Sequence, residues 1–185
     1  MGLAPRDSVR YGMMMPDADF ELMLPDSGAT DALGLALAQA LPATLDECAV
    51  LYLHGELGAG KTTCARSLLR GLGVTGLIRS PTFTLIEAYP LGSLTAVHID
   101  LYRLQGGLEV DELGLRDFLN PGCLLMIEWP EKGGNALPPA DLQLTLRYVE
   151  SGRSATLRAD TAPGCNWLRN LRLDTRLASY VPNLT

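Results

Sequence analysis

The stretch that most constrains the fold is GELGAGKT, from Gly55 to Thr62, which matches the phosphate-loop pattern G-x-x-x-x-G-K-[ST] in full. Glycines let such a loop fold so that its backbone N–H groups point at a phosphate. The apolar run CAVLYLHG before it predicts a strand buried on both faces. Apolar residues at helical spacing follow it, and Gly73 can end that helix. This order of strand, loop and helix predicts an α/β fold.

The loop carries residue types suited to a magnesium–nucleotide ligand. We expect the ammonium of Lys61 to bridge the β- and γ-phosphates and the hydroxyl of Thr62 to hold Mg²⁺. The helix that begins there adds the positive end of its dipole. The candidate nucleotide-binding residues of this segment are Gly55, Glu56, Leu57, Gly58, Ala59, Gly60, Lys61, Thr62 and Thr63.

Two carboxylates are candidates to complete the site. The apolar run LTAVHID ends in Asp100, and the run CLLMIE ends in Glu128. P-loop enzymes place a carboxylate at the end of a neighbouring strand to hold Mg²⁺. Local patterns do not separate the two candidates, and either one could simply be a polar residue at a strand end. Their joint presence favours a division of labour between the metal and the attacking water.

Two other segments resemble nucleotide-sensing motifs. Asp111-Glu112-Leu113-Gly114 spells the D-x-x-G of GTPases, but it follows a polar stretch and the chain has no N-K-x-D motif, which disfavours a GTPase. The segment Arg79–Thr84 carries hydroxyls where switch loops of P-loop enzymes approach the γ-phosphate. A β-turn built on Ser80-Pro81 is the alternative interpretation of that segment.

The remaining patterns predict one domain and two less regular ends. We expect residues 1–19 to be disordered, residues 20–160 to form the domain, and residues 161–185 to pack on it or trail from it. Within the domain we predict a strand at FELML and a following helix capped by Ser27 or Thr30. Further predictions are a hairpin of FTLIEAY and SLTAVHID, an acidic helix over Leu108–Leu119, and a hairpin of LQLTLRYVE and SATLRA.

Composition bears on which partners the protein can bind and in which cell compartment it acts. The 15 basic and 21 acidic residues give a formal charge of −6, which disfavours strong direct binding of nucleic acid. The four cysteines show neither a C-x-x-C pair nor metal-ligand spacing, so we expect reduced and mostly buried thiols. The first residues lack the apolar core of a signal peptide, and no run is long enough to cross a bilayer. We therefore expect a cytoplasmic protein with no membrane contact.

The motifs GELGAGKTT, SPTFTLIEAY, HIDLYRL, LGLRDFL and IEWPEK occur in this order. In order and spacing they closely resemble the TsaE (YjeE) family, and the resemblance extends from about Phe20 to Ala159. HIDLYRL and IEWP are far more specific than the P-loop. The resemblance implies a P-loop NTPase-like three-layer sandwich with a mixed central sheet and flanking helices. It also implies a small ATPase of the bacterial machinery that makes threonylcarbamoyladenosine at position 37 of tRNA.

The resemblance also implies roles for individual residues. ATP would lie on the P-loop, Thr62 and Glu128 would bind Mg²⁺, and Asp100 would be needed for hydrolysis. The segment with Ser80, Thr82 and Thr84 looks like the switch region of the family. By this resemblance Lys61, Thr82 and Asp100 are the candidate catalytic residues, and Ser27, Trp129 and Gly152 join the nucleotide-binding set. A core tryptophan is the alternative interpretation of Trp129.

Partners also follow from the resemblance. The family acts with a complex of two related proteins, TsaB and TsaD, so tRNA would be reached only indirectly. The rival hypothesis is a small-molecule or nucleoside kinase, which shares the P-loop, strand and helix. Such kinases close an arginine-rich lid over their substrates, and the candidate lid region 133–139 contains no arginine.

Overall fold

A computed structural model describes residues 19–104 and 106–182. Apart from Asp19, the predicted N-terminal extension lies outside the described residues. Seven strands form one mixed sheet in the order β1-β7-β6-β2-β5-β4-β3. The strands are β1 (Phe20–Leu24), β2 (Ala49–Gly55), β3 (Ile86–Leu91), β4 (Leu94–Asp100), β5 (Cys123–Glu128), β6 (Leu142–Val149) and β7 (Gly152–Ala159).

The four central strands β6, β2, β5 and β4 run parallel, and antiparallel partners flank them on both sides. On one side β7 pairs with β6 and β1 pairs with β7, while on the other β3 pairs with β4. Because parallel neighbours end at the same edge, the carboxyl ends of β2, β4 and β5 meet where ligands bind in open α/β sheets. Both predicted hairpins are confirmed.

Apolar side chains of the strands alternate between two cores on opposite faces of the sheet. Leu51 and Leu53 of β2 face one core, whereas Val50 faces the other. Three of the four helices cover the first core, and α3 with short 3₁₀ segments covers the second. The predicted three-layer α/β architecture is therefore confirmed. The helices are α1 (Ser27–Ala40), α2 (Lys61–Gly71), α3 (Gly107–Asp111) and α4 (Ala162–Arg172).

Two local predictions were wrong. The predicted helix over Leu108–Leu119 divides into the short α3 and a 3₁₀ segment at Leu115–Phe118. Gly114 between them has a φ of 67°, in the left-handed region that ends a helix. The N-cap of α1 is Asp26, whose carboxylate accepts a hydrogen bond from the backbone N–H of Ala29 at 2.8 Å, and not Ser27 or Thr30.

The C-terminal segment forms α4 and packs against α1. Trp167 is buried, and its indole N–H donates a hydrogen bond to the carbonyl of Leu37 at 2.9 Å. The side-chain amide of Asn170 donates to the carbonyl of Ala40 at 3.2 Å, which caps the end of α1. In the described part of the chain, no helix has the length and apolar character that crossing a membrane requires.

Candidate functional site

The loop between β2 and α2 adopts the conformation that its glycines predict. Gly55 has a φ of 141° and Gly60 a φ of 114°, both in the left-handed region that side chains disfavour. A Cβ at Gly55 would also lie 2.4 Å from the carbonyl oxygen of Leu146 on β6, so the close approach of β6 requires glycine there. The loop therefore ends in a helix N-terminus that faces the carboxyl edge of the sheet.

Lys61 lies folded against its own loop. Its ammonium donates to the carbonyls of Gly55 and Glu56 at 2.6 and 2.9 Å, and it lies 3.7 Å from the centre of the Trp129 ring. Burial lowers the pKa of Lys61, while the nearby carboxylates of Glu128, Glu131 and Asp100 partly offset this effect. The charge is thus held at the loop by carbonyl dipoles and an aromatic face, which phosphate oxygens can replace.

Trp129 forms a wall of the site and is half-buried there. It directly follows β5 with a φ of 58°, an unusual value for a large side chain. Its ring packs on Tyr102 with 5.1 Å between ring centres. The left-handed backbone conformation of Trp129 turns the chain at the end of β5, so that the indole covers Lys61. Trp129 thus lines the cleft and also packs against the second core, so both interpretations of this residue remain.

Glu128 is a buried carboxylate with a hydrogen-bonding partner at each oxygen. Its Oε2 accepts a hydrogen bond from the hydroxyl of Thr62 at 2.9 Å, across from the first turn of α2. Its Oε1 lies 2.8 Å from Nε2 of His98 on β4. Glu128 is only 2% exposed, so these two contacts define its position. The predicted pair of Thr62 and Glu128 is thus brought together.

Asp100 lies directly opposite Glu128 in the register of the parallel strands β4 and β5. One of its carboxylate oxygens accepts hydrogen bonds from the hydroxyls of Ser80 and Thr82, at 3.0 and 2.7 Å. The other oxygen accepts the backbone N–H of Tyr102 at 3.0 Å. The hydroxyls of Ser80 and Thr82 therefore lie against Asp100, and the segment turns where the N–H of Leu85 donates to the carbonyl of Pro81 at 2.6 Å, whereas Thr84 is exposed.

These groups line a cleft of about 230 Å³ between the loop and the ends of β4 and β5. Five predicted nucleotide-binding residues, Ser27, Gly55, Glu56, Ala59 and Gly152, are not among its lining residues in the described part of the chain. Ser27 is exposed in the first turn of α1. A Cβ at Gly152 would lie 2.4 Å from the carbonyl oxygen of Leu24. This contact accounts for glycine at position 152 through packing against the end of β1.

Sequence reasoning missed two residues of the site. Tyr102 lines the cleft, and His98 contacts the buried oxygen Oε1 of Glu128 without lining the cleft itself. Both belong to the motif HIDLYRL that was used for recognition. Strand alternation contained the signal for His98, because a residue two positions before Asp100 on one strand lies on the same face.

Known proteins match this chain both in sequence and in fold. The sequence model of the family described as "Threonylcarbamoyl adenosine biosynthesis protein TsaE" matches residues 24–155, from the end of β1 into β7. The chain belongs to the TsaE family. The resemblance inferred from the sequence motifs is thereby confirmed, and the matched range contains the P-loop and both strand-end carboxylates.

Individual TsaE relatives cover most of the chain. The protein named tRNA threonylcarbamoyladenosine biosynthesis protein TsaE from Haemophilus influenzae is 40% identical over 144 residues, which is 77% of this chain and 91% of that protein. The Synechocystis protein of the same name is 43% identical over 122 residues, covering 64% of this chain and 74% of that protein. The crystal structure of YdiB from Bacillus subtilis covers 86% of this chain and 97% of YdiB, with 28% identity and a TM-score of 0.67.

Membership of the TsaE family assigns the chain to tRNA threonylcarbamoyladenosine biosynthesis. The P-loop NTPase-like fold of the family implies a nucleotide ligand, and the cleft beside the loop is where its phosphates would bind.

Proposed function

We propose that this TsaE protein is a Mg²⁺-dependent ATPase that binds the TsaB–TsaD complex and hydrolyses ATP in support of threonylcarbamoyl transfer to adenosine 37 of tRNA. The observation that carries the proposal is the pairing of two strand-end carboxylates beside the P-loop. Glu128 contacts Thr62, and Asp100 contacts the switch hydroxyls. A protein that only binds nucleotide has no need of the second carboxylate.

Thr62 and Glu128 would hold the metal ion. Their hydroxyl and carboxylate oxygens are 2.9 Å apart, and both are the hard oxygen ligands that Mg²⁺ prefers. Among the described residues, no three His, Cys, Asp or Glu side chains form a metal site by themselves. Two protein ligands together with phosphate and water oxygens are typical of Mg²⁺ in nucleotide sites. When bound, the ion supplies neutralisation of charge on the transferring phosphate.

Asp100 would orient the attacking water in this proposal. One of its oxygens accepts hydrogen bonds from two hydroxyls that line the cleft, and these contacts support a role as hydrogen-bond acceptor toward a water there. Ser80 and Thr82 would carry changes at the γ-phosphate to the exposed part of the switch segment. Lys61 would release its carbonyl partners to contact the β- and γ-phosphates.

The nucleotide would lie with its phosphates on Gly55–Thr63 and beside Trp129. We keep Ser27 and Gly152 in the proposed nucleotide-binding set because each is close in the chain to a residue that lies beside the phosphate loop. Thr30, three residues after Ser27, and Arg153, directly after Gly152, both lie near Gly60. We further propose that residues 20–160 form the ATPase domain, that the protein acts in the cytoplasm, and that its acidic surface contacts partner proteins rather than tRNA.

The kinase alternative is disfavoured by the structure of the candidate lid. Residues 133–139 contain no arginine, and Leu137 within this segment is buried in the second core. A substrate lid has to open and close over the cleft. A segment anchored by a core leucine is poorly suited to that movement.

The decisive experiment is ATP hydrolysis measured with and without a purified TsaB–TsaD complex. We expect slow turnover alone and a marked rise with the complex. Lys61→Ala is the matched control, because it removes the phosphate-binding cation and should abolish both rates. Equal rates with and without the complex would contradict the proposal that TsaB–TsaD is the partner. Efficient phosphorylation of a nucleoside or sugar would contradict the ATPase and support a kinase.

A further inference from the structure

His98 is a buried histidine that the proposed mechanism does not use. It lies on β4, two residues before Asp100, and its side chain is completely buried. Its Nε2 contacts Oε1 of Glu128 at 2.8 Å. Its other ring nitrogen, Nδ1, is buried and has no hydrogen-bond partner among the described residues. Glu128 is therefore the single polar contact of the ring within that part of the chain.

The contact defines which ring nitrogen carries the proton. An ionised carboxylate only accepts hydrogen bonds, so the Nε2 atom that faces it must be the donor. The opposite tautomer would place two lone pairs against each other and would bury an unpaired N–H at Nδ1. The arrangement is therefore one in which Nε2 donates to Oε1 of Glu128.

This hydrogen bond separates the roles of the two oxygens of Glu128. Oε1 is occupied by His98, and Oε2 faces the hydroxyl of Thr62 at the phosphate loop. Asp100 occupies the paired position on β4, so a second carboxylate charge on the same face of the sheet would repel that of Glu128. A donor behind Oε1 opposes that repulsion and keeps Oε2 directed at Thr62.

We propose that His98 is a positioning residue that holds Glu128 in the orientation needed to bind Mg²⁺ with the nucleotide. The inference rests on the proposed metal role of Glu128. Ligating carboxylates elsewhere are oriented by hydrogen bonds from buried neighbours, and loss of such a neighbour lowers metal affinity about 10- to 100-fold. His98 itself does not reach the substrate, because Glu128 lies between it and the cleft.

A pair of amide substitutions tests the proposal. Glutamine can place its amide nitrogen near the position of Nε2, whereas asparagine is one bond shorter and cannot reach Oε1. We expect His98→Gln to keep the wild-type Mg²⁺ requirement and His98→Asn to need about 10- to 100-fold more Mg²⁺ for the same nucleotide affinity. The measurement is calorimetric binding of a non-hydrolysable ATP analogue to the full chain at graded Mg²⁺ concentrations and in EDTA.

The EDTA series distinguishes positioning from general damage. If His98 acts through the metal, the three proteins bind the analogue equally without Mg²⁺. A weakening of His98→Asn that is equally large in EDTA would overturn the proposal, because the histidine would then only support the fold. Thermal denaturation of His98→Gln and His98→Asn measures any loss of fold stability separately.

A double mutant shows whether the effect passes through Glu128. On a Glu128→Ala background, His98→Asn should produce no further change in Mg²⁺ dependence. Additive losses would overturn the assignment, as would a wild-type Mg²⁺ requirement in His98→Asn alone. If the wild-type protein binds the ATP analogue with the same affinity at every Mg²⁺ concentration, the metal role of Glu128 in the proposed function would instead be refuted. The readout is binding, so it is independent of whether TsaB–TsaD stimulates turnover.

Discussion

At the scale of single residues, the site depends on two neighbouring carboxylates with different partners. Asp100 accepts hydrogen bonds from the hydroxyls of Ser80 and Thr82, and Glu128 accepts one from the hydroxyl of Thr62. Their side chains lie at the same register position on adjacent strands. Neighbouring like charges destabilise each other, and hydrogen-bond donors to each carboxylate offset this effect. The separate donor sets therefore permit separate functions in one cleft.

Replacing the two carboxylates should separate binding from turnover. We expect Glu128→Ala to lose the Mg²⁺ dependence of nucleotide binding, because the remaining protein ligand is the hydroxyl of Thr62 alone. Asp100→Ala should bind ATP with Mg²⁺ but hydrolyse it about 100-fold or more slowly, because no group orients the water. Binding by calorimetry and phosphate release under saturating ATP are the two measurements. Normal hydrolysis by Asp100→Ala would refute this division of roles.

At the scale of elements, α4 is joined to α1 by a buried tryptophan. Trp167 is only 1% exposed and donates to the carbonyl of Leu37, which lies inside α1. Leu37 belongs to the last turn of α1, where backbone carbonyls lack a partner within the helix, so Trp167 contributes this hydrogen bond as well as the apolar area that it buries. The C-terminal segment is thus part of the packed structure beneath α1.

Truncation of Trp167 should measure this contribution. We expect Trp167→Ala to lower the free energy of unfolding by about 3–5 kcal/mol, through lost burial and the cavity that remains. Leu173→Ala is the control at the end of the same helix, because Leu173 is 77% exposed and its loss should change stability little. Urea denaturation of both variants gives the comparison. Equal effects would mean that α4 does not pack on α1 in solution.

The 3₁₀ segment Thr175–Tyr180 is capped by Asp174, which also binds Arg176. This hydrogen bond lowers the pKa of Asp174 below its ordinary value of 3.8. The unfolded chain therefore takes up the proton first as the pH falls. The contribution of Asp174 to stability is complete above pH 3.8 and is lost as the pH falls through the lowered pKa of the folded state.

We expect Asp174→Ala to cost about 1 kcal/mol at pH 7 and less than that below pH 3.8, where the wild-type carboxyl becomes protonated. Asp111→Ala is the matched control, since its contact with Arg116 is 3.7 Å long and exposed, and such pairs contribute little. Chemical denaturation at several pH values measures both. A difference for Asp174→Ala that does not change with pH would show that the ion pair contributes nothing.

At the scale of the whole molecule, the packing of α1 on α2 positions the phosphate loop. The two helices approach so closely that a Cβ at Gly34 would lie 2.4 Å from the carbonyl oxygen of Cys64. Near the N-terminus of α1, Thr30 lies beside Gly60, where α2 begins. A change in the distance between these helices therefore moves the loop relative to the ends of β4 and β5.

Gly34→Ala should disrupt this packing. In most helix interiors this substitution stabilises by about 0.5–1 kcal/mol, whereas here we expect a loss of about 1–3 kcal/mol from overpacking, together with weaker nucleotide binding. Gly28→Ala in the same helix is the comparison, because its Cβ would meet only the side chain of Asp26, whose capping Oδ1 lies 3.2 Å away, so we expect a smaller loss than for Gly34→Ala. Thermal denaturation and nucleotide titration test both effects. A stabilised Gly34→Ala would contradict the close packing.

Local sequence patterns predicted the elements better than their ends. The buried run before Gly55 and the loop glycines were sufficient for β2 and for the phosphate loop, because the apolar pattern and the left-handed positions are properties of adjacent residues. The prediction of one helix over Leu108–Leu119 was wrong because Gly114 interrupts the helical conformation. The cap at Asp26 was missed because Asp, Ser and Thr serve equally well there.

The sequence by itself determined that a phosphate loop follows a buried strand, and that two later strands end in carboxylates. Only the tertiary structure decided that β4 and β5 are neighbours in register, so that Asp100 lies opposite Glu128. The same pairing brings Thr62 to a carboxylate 66 residues away and His98 to one 30 residues away. The physical reason is that strand order depends on how whole faces pack, whereas each motif depends only on its own few residues.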